Sequence, residues 1–237
     1  MTQQDQRGTE IWREADFARD WASNDGLADI LEFPRRIAAA VVADDNTAPE
    51  CVVDIGSGPG AFLAVFLDRF PSARGIWTDV SDTMLDIAKD NLGRFGDRVE
   101  YRLLDMTDLS AGAIPAGVNV ITTSRAAHHL DRDGLFAFYA QAAALLAPGG
   151  WLVNLDHTGP ADVWDARLRA VRKQFVPPAS GRARHHHNYP LTSADDHLEA
   201  FAAAGISDVE IVWRAFFTCL FMGRKASRKT DSRKTGR

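Results

Sequence analysis

The run Val52-Val53-Asp54-Ile55-Gly56-Ser57-Gly58-Pro59-Gly60 limits what this chain can fold into more than any other stretch. Cys51 to Ile55 is a short apolar run rich in β-branched residues, the pattern of a buried parallel strand. From Ala61 to Phe70 the spacing turns helical, with Phe62, Val65 and Phe66 on one face and Phe70 one turn further on. Three glycines between a strand and a helix permit a sharp turn and a close approach of backbone to ligand that a Cβ would block. Pro59, with no N–H and a fixed φ, suits the first turn of the helix. Such a strand–turn–helix opens a doubly wound α/β sheet, whose ligands bind beyond the carboxyl ends of the strands.

The glycine spacing alone does not name the ligand. Gly56, Gly58 and Ala61 fit the dinucleotide pattern G-x-G-x-x-G/A. A second strand, Gly75 to Val80, brings Asp79, an acceptor suited to ribose hydroxyls. A third, Val99 to Leu104, is followed by Asp105 and Met106. With Asp54 on the first strand, acids end three successive strands. They suit a ligand with an amine, a ribose and an adenine, and offer little to a pyrophosphate.

Further along, Ser81 is a good N-cap for a helix burying Met84, Leu85, Ala88 and Leu92. The fourth strand, Val118 to Thr123, leads into Ser124-Arg125-Ala126-Ala127-His128-His129. A helix from Gly134 to Leu146 is closed by Pro148-Gly149-Gly150, and a fifth strand, Trp151 to Leu155, delivers Asp156 and His157 to the same edge. A helix capped by Thr192 or Ser193, burying Leu198 and Phe201, ends at Gly205. Val209 to Trp213 and Phe216 to Met222 are then so close in sequence that they must pair antiparallel. The expected fold class is α/β: a doubly wound, mostly parallel, seven-stranded sheet with a C-terminal antiparallel hairpin and a helical cap.

Three segments lie outside that sheet. Residues 1–50 read as an N-terminal helical lid or cover anchored by Trp12, Phe17 and Trp21; Asn24-Asp25-Gly26 breaks it, and Pro34 ends one helix or opens another. Residues 158–191, inserted in the domain 51–222, carry Trp164, Leu168, Val171 and Phe175 at helical spacing and form the expected substrate cap. Residues 223–237 hold seven Lys/Arg and one Asp, a charge of +6 that leaves −11 on the remainder against −5 overall. The acidic body argues against a nucleic-acid partner, and the tail reads as disordered and solubilising. At 237 residues the chain suits one sizeable α/β domain. Cys51 and Cys219 sit in apolar runs and read as core thiols. The first residues lack a signal pattern and no apolar run approaches membrane-spanning length, so a cytoplasmic location with no membrane partner is expected.

With its landmarks in order from about Cys51 to Lys225, the chain resembles the class I S-adenosylmethionine-dependent methyltransferases of small-molecule type. The resemblance implies that Gly56, Gly58 and Gly60 line the methionine end of S-adenosylmethionine, with Asp54 near its amino group. It implies that Asp79 takes the ribose hydroxyls, Val80 packs on the adenine, and Asp105 accepts from the adenine amine beside the Met106 backbone. Ser124 and Arg125 fall near the methionine portion. The closing hairpin is typical of the methyltransferase sheet and unlike the second half of a dinucleotide dehydrogenase.

Methyl transfer to a hydroxyl needs an acceptor held in line and a base for its proton, and histidine is best matched near neutral pH. Ser124 to His128 looks like the segment carrying the base in plant-type and polyketide O-methyltransferases, so His128 is a candidate base with Asp156 orienting it. His157 is a second candidate, and use of no protein base is a third reading. Arg182 and Arg184 beside His185-His186-His187 point to an anionic acceptor, and no Cys or carboxylate spacing there supports a metal. No Asn/Asp-Pro-Pro-Tyr/Phe follows the fourth strand, which disfavours amide and base-nitrogen acceptors. The expected activity is methylation of a small molecule at oxygen, with carbon or amine acceptors as alternatives. A nicotinamide-dependent oxidoreductase and a catalytically silent cofactor-binding protein are the competing classes, and monomer and homodimer both stay open.

Overall fold

A chain that alternates apolar β-branched runs with amphipathic helices buries both faces of its sheet, and the computed structural model is built that way. It describes residues 10–23, 28–45, 48–109, 112, 114–176 and 190–227. The strands are β1 (Cys51–Ile55), β2 (Arg74–Asp79), β3 (Val99–Leu103), β4 (Val118–Ser124), β5 (Leu146–His157), β6 (Ile206–Ala215) and β7 (Thr218–Lys225), in the order β3-β2-β1-β4-β5-β7-β6. The first five pair in parallel, and β7 runs antiparallel between β5 and β6. The expected seven strands and closing hairpin are present.

The period of two along β1 splits the core. Val52 joins Trp77, Val120 and Val153 on one face, while Val53 and Ile55 join Ile76, Ile121 and Leu152 on the other. Helices α1 (Ala15–Ser23), α2 (Ala28–Ala43), α3 (Ala61–Arg69) and α4 (Asp82–Leu92) supply the first layer; α5 (Arg132–Leu145) and α7 (Ala194–Ala203) supply the second. Their ends follow capping chemistry. Ser81 accepts from the Met84 N–H, Asp131 accepts from Gly134, and Ser193 and Asp196 form a reciprocal capping box. α6 (Asp162–Arg172) follows β5 and buries none of its residues.

Three boundaries differ from the sequence reading. Pro34 neither ends nor opens a helix; it sits inside α2. An interior proline costs ~3 kcal/mol, and here the helix is held by the buried stripe Leu31, Ala38, Ala39 and Val42. β5 begins at Leu146, so Pro148-Gly149-Gly150 lies within a strand whose register on β4 shifts between Val118 and Val120. Gly223, Arg224 and Lys225 belong to β7, not to the tail. Lys225 donates to the Ala143 and Leu146 carbonyls (2.7 Å each) and Arg224 to the Gly149 carbonyl (3.0 and 3.1 Å). Two cations thus bond carbonyls at the end of α5 and the start of β5, extending the strand beyond its apolar run. Residues 228–237 of the expected tail lie outside the described residues. Among the described residues, no helix is long and apolar enough to cross a membrane.

One core side chain reaches the glycine turn. Trp77 is fully buried on β2, and its indole N–H donates to the Gly58 carbonyl at 2.8 Å. Trp77→Phe removes the donor and part of the ring, and is expected to cost ~1–3 kcal/mol. The check is a lowered urea midpoint at unchanged slope; an unaltered midpoint would show that the turn does not need the bond.

Candidate active site

The sheet brings the carboxyl ends of β1, β2, β4 and β5 to one edge, where a cavity of about 310 Å³ opens. That is enough room for a small cofactor. Gly56, Ser57, Gly58 and Pro59 form one wall, Asp79, Val80, Leu104 and Met106 another, and Ser124, Arg125, Ala126 and His129 a third. The glycines are needed there. Gly56 has φ +62° and a Cβ on it would meet Ala126 Cβ at 2.7 Å; Gly58 has φ +53° and nothing within 4 Å of where its Cβ would stand. Gly58 therefore leaves space on its open side that a side chain would take from a ligand.

β2 fixes the turn. Asp79, 8 % exposed, accepts from the Gly58 N–H at 2.9 Å and from the Ser81 N–H at 3.0 Å. Burial raises its pKa above the ordinary carboxylate value, against the pull of those N–H groups. Each oxygen takes one of these bonds and keeps a further lone pair with which to accept another.

Not every expected residue lies on the cavity wall. Asp54 is buried beneath the turn and accepts from Ser57 Oγ (2.6 Å) and Thr122 Oγ1 (2.8 Å). The place where a Gly60 Cβ would stand is filled by Leu92, whose Cδ1 is 2.7 Å away. Asp105 sits outside the wall formed by its neighbours Leu104 and Met106. Its carboxylate accepts from Thr107 (3.0 Å from N, 2.8 Å from Oγ1) and pairs with Arg13 at 3.6 Å.

The N-terminal helices complete the wall with Trp12, Trp21, Ala22 and Arg35. Arg35 is a residue that the sequence reading missed. It is 7 % exposed and continues the stripe Leu31, Arg35, Ala38, Ala39, Val42 on α2. A cation on an otherwise buried face was the available signal. Its charge reaches Asp54 and opposes the upward shift of that carboxyl. Arg125 has φ +56° and lays its guanidinium 4.6 Å from the Trp21 ring centre, joining the edge of β4 to α1.

Behind this wall stands a buried histidine cluster. His128 Nδ1 lies 2.5 Å from Asp156 Oδ1, and the His128 N–H donates to Oδ2 of the same carboxylate at 3.0 Å. Asp156 also accepts from the His157 N–H at 2.8 Å and is fully buried. A carboxylate only accepts, so the bond puts the His128 hydrogen on Nδ1 and the ring lone pair on Nε2. His129, which lines the cavity, lies with its ring 4.2 Å from that of His128; His157 is on the other side at 5.3 Å. His157 Nδ1 is 2.9 Å from Thr218 Oγ1, and burial, followed by the charges of His128 and Arg125, holds its pKa well below the usual value. His185, His186, His187, Arg182 and Arg184 lie outside the described residues. Among the described residues, no group of three His, Cys, Asp or Glu is placed to hold a metal.

A doubly wound sheet with its seventh strand reversed, and a cleft at its carboxyl edge with the buried acceptor Asp79 on its wall, has the architecture of a nucleoside-cofactor-binding protein. Residues 52–150 match the family model of a methyltransferase domain. The chain is 28% identical over 200 residues to the malonyl-[acyl-carrier protein] O-methyltransferase of Geobacter sulfurreducens, covering 82% of this chain and 70% of that one. In fold it is similar to an O-methyltransferase family protein from Burkholderia thailandensis (TM-score 0.66, 22% identity, 90% of this chain and 63% of that one). It is similar too to the carbon methyltransferase CurJ (TM-score 0.64, 16% identity, 88% and 58%). The chain thus spans somewhat less than two thirds of these solved structures. The chain carries a methyltransferase domain over residues 52–150 and is an enzyme of that kind, with S-adenosylmethionine as its cofactor. The nicotinamide and catalytically silent readings fall away.

Burial pushes the Asp54 carboxyl up to about 6 from 3.8, despite the Ser57 and Thr122 bonds and the Arg35 charge. A carboxyl whose folded pKa is raised contributes stability that is present below the unfolded value and is lost as pH rises through the folded one. For the ligand-free protein, the unfolding free energy of wild type relative to Asp54→Asn is expected to rise by up to about 3 kcal/mol from pH 7 to pH 4. A difference independent of pH in paired denaturation curves would contradict this.

Proposed function

We propose that this enzyme methylates a small-molecule acceptor at oxygen, with His128 as general base and Asp156 as the carboxylate that orients it. The observation carrying the reading is the buried His128–Asp156 pair one ring behind the cofactor cleft. The cleft suits the cofactor on its own chemistry: the open side of Gly58, the buried Asp79 acceptor, the apolar Val80 and Met106, and the buried cation Arg35. Asp79 would take the ribose hydroxyls and Val80, Leu104 and Met106 the purine. Gly56, Gly58, Ser124 and Arg125 would flank the methionine portion, and Arg35 would meet its carboxylate. Asp54 and Gly60 act from beneath, holding the turn, and Asp105 stands at the rim. When bound, S-adenosylmethionine supplies a methyl group on a cationic sulfonium.

The chain's own contribution is positional and acid–base. Asp156 holds the His128 ring through Nδ1 and stabilises the imidazolium formed when Nε2 takes the acceptor's proton. His157, with its pKa depressed, stays neutral beside it and lets the positive charge settle on His128. Trp12 and Trp21 line the cleft and would help to exclude water from it when the cofactor is bound. The relative from Geobacter is by name an O-methyltransferase, which favours oxygen over carbon. α6 would form the acceptor side.

His128→Ala is expected to lower kcat by about 10²- to 10⁴-fold on a hydroxylated acceptor, with affinity for S-adenosylhomocysteine within twofold of wild type. Asp156→Asn should follow it in direction. Retention of near-normal turnover from pH 6 to 9 by His128→Ala would remove the base assignment. Asp79→Ala should weaken S-adenosylhomocysteine binding by about tenfold or more in calorimetric titration; unchanged affinity would displace the ribose assignment.

A further inference from the structure

Arg172, at the end of α6, is half-buried and has no carboxylate partner among the described residues. Its guanidinium lies 5.2 Å from the centre of the Phe217 ring, and that of Arg169 lies 5.4 Å from the same ring. Arg169 is neutralised within its own helix by Asp165, which accepts from Nε at 2.8 and 2.9 Å. Phe217 stands edge-on to His157 at 5.5 Å, and His157 leads to His128 at 5.3 Å. Contacts therefore run without a break from Arg172 through one phenyl ring to the histidine cluster. On the cleft side, the charge of Arg125 acts on both His157 and Arg172. The one carboxylate inside the cluster, Asp156, is already bonded to His128 and His157.

Half-burying a guanidinium costs hydration that a surface arginine keeps. Burial, then Arg125 and Arg169, hold the Arg172 pKa below its usual value. The fold thus leaves a positive charge in a partly dry place beside the acceptor side of the active site. A bound oxyanion would supply the missing counter-charge, in the fork geometry that guanidinium favours.

We infer that the methyl acceptor carries an anionic group, a carboxylate or a phosphate, and that Arg172 binds it, with Arg125 adding to the field, while the hydroxyl to be methylated lies toward His128. The inference rests on the methyl-transfer reading above and adds the acceptor's charge. Arg172 on α6 then does the work that the sequence reading gave to Arg182 and Arg184. In Arg172 the anion meets a residue that is not part of the cofactor cleft.

The test uses the full chain saturated with S-adenosylhomocysteine, titrated calorimetrically with benzoate, phenyl phosphate and benzamide. At least one anion should bind tenfold or more tightly than benzamide, and which one does tells carboxylate from phosphate. Arg172→Gln should abolish that preference while leaving benzamide and S-adenosylhomocysteine binding within twofold, and Arg172→Lys should keep part of it. Equal binding of all three probes, or an undiminished preference in Arg172→Gln, would overturn the inference. Methyl transfer to 3- and 4-hydroxybenzoate is scored separately. An anion preference without oxygen methylation would count against the proposed reaction and leave the anion site standing; failure to bind S-adenosylhomocysteine would strike at the cofactor reading alone.

Discussion

Gly58 is gripped on both sides of its peptide by β2: its N–H donates to Asp79 and its carbonyl accepts from Trp77. The rest of the site depends on that pair of hydrogen bonds. With φ +53° and no side chain, the residue has little of its own to hold it in place. The neighbouring strand supplies what is missing, through one side chain from the core and one from the edge. Because β1 and β2 pair in register, Asp54 against Trp77 and Ile55 against Thr78, the distance from turn to acid is set by the sheet and not by the loop. The Ser57 N–H, donating to the Thr78 carbonyl at 2.9 Å, adds a third tie between the two strands.

Charge is sorted across this edge. The acids Asp54 and Asp79 sit at the ends of β1 and β2, both pushed toward the neutral form by burial, with Arg35 facing Asp54 from α2. The ends of β4 and β5 carry Arg125 and the histidines, and α6 brings Arg169 and Arg172 against them. One half of the edge thus carries buried acids, and the other carries arginines and histidines. Asp156 is the exception within the cationic half, and its bonds to His128 and His157 account for its burial.

Helix α6, in the expected cap, buries none of its residues. Trp164 and Phe175 are half or more exposed, although Trp164, Leu168, Val171 and Phe175 repeat at the spacing of an amphipathic helix. Periodicity reports which face of a helix is apolar and says nothing of whether anything covers it. On α2 the failure runs the other way: the stripe is buried and one member is arginine. The departure on α2 lies at the cleft, where local rules are most often overridden.

From residues alone came the doubly wound class, the glycine turn, the acids on the first two strands, the reversed final strand and the Ser124–His128 segment. Each is written in short-range pattern: β-branched runs, glycine spacing, caps, and strands too close in sequence to pair in parallel. Tertiary structure decided which of these residues face the cleft. Asp54 and Gly60 fell beneath it and Asp105 beside it, because hydrogen bonds and packing partners distant in sequence, Thr122, Leu92 and Arg13, claimed them. It also decided that His128 meets Asp156, that Arg35 closes the cleft, and that Arg172 stands by Phe217. Those pairings join elements 28 to 45 positions apart along the chain or more, and only the order in which strands are laid side by side brings such residues into contact.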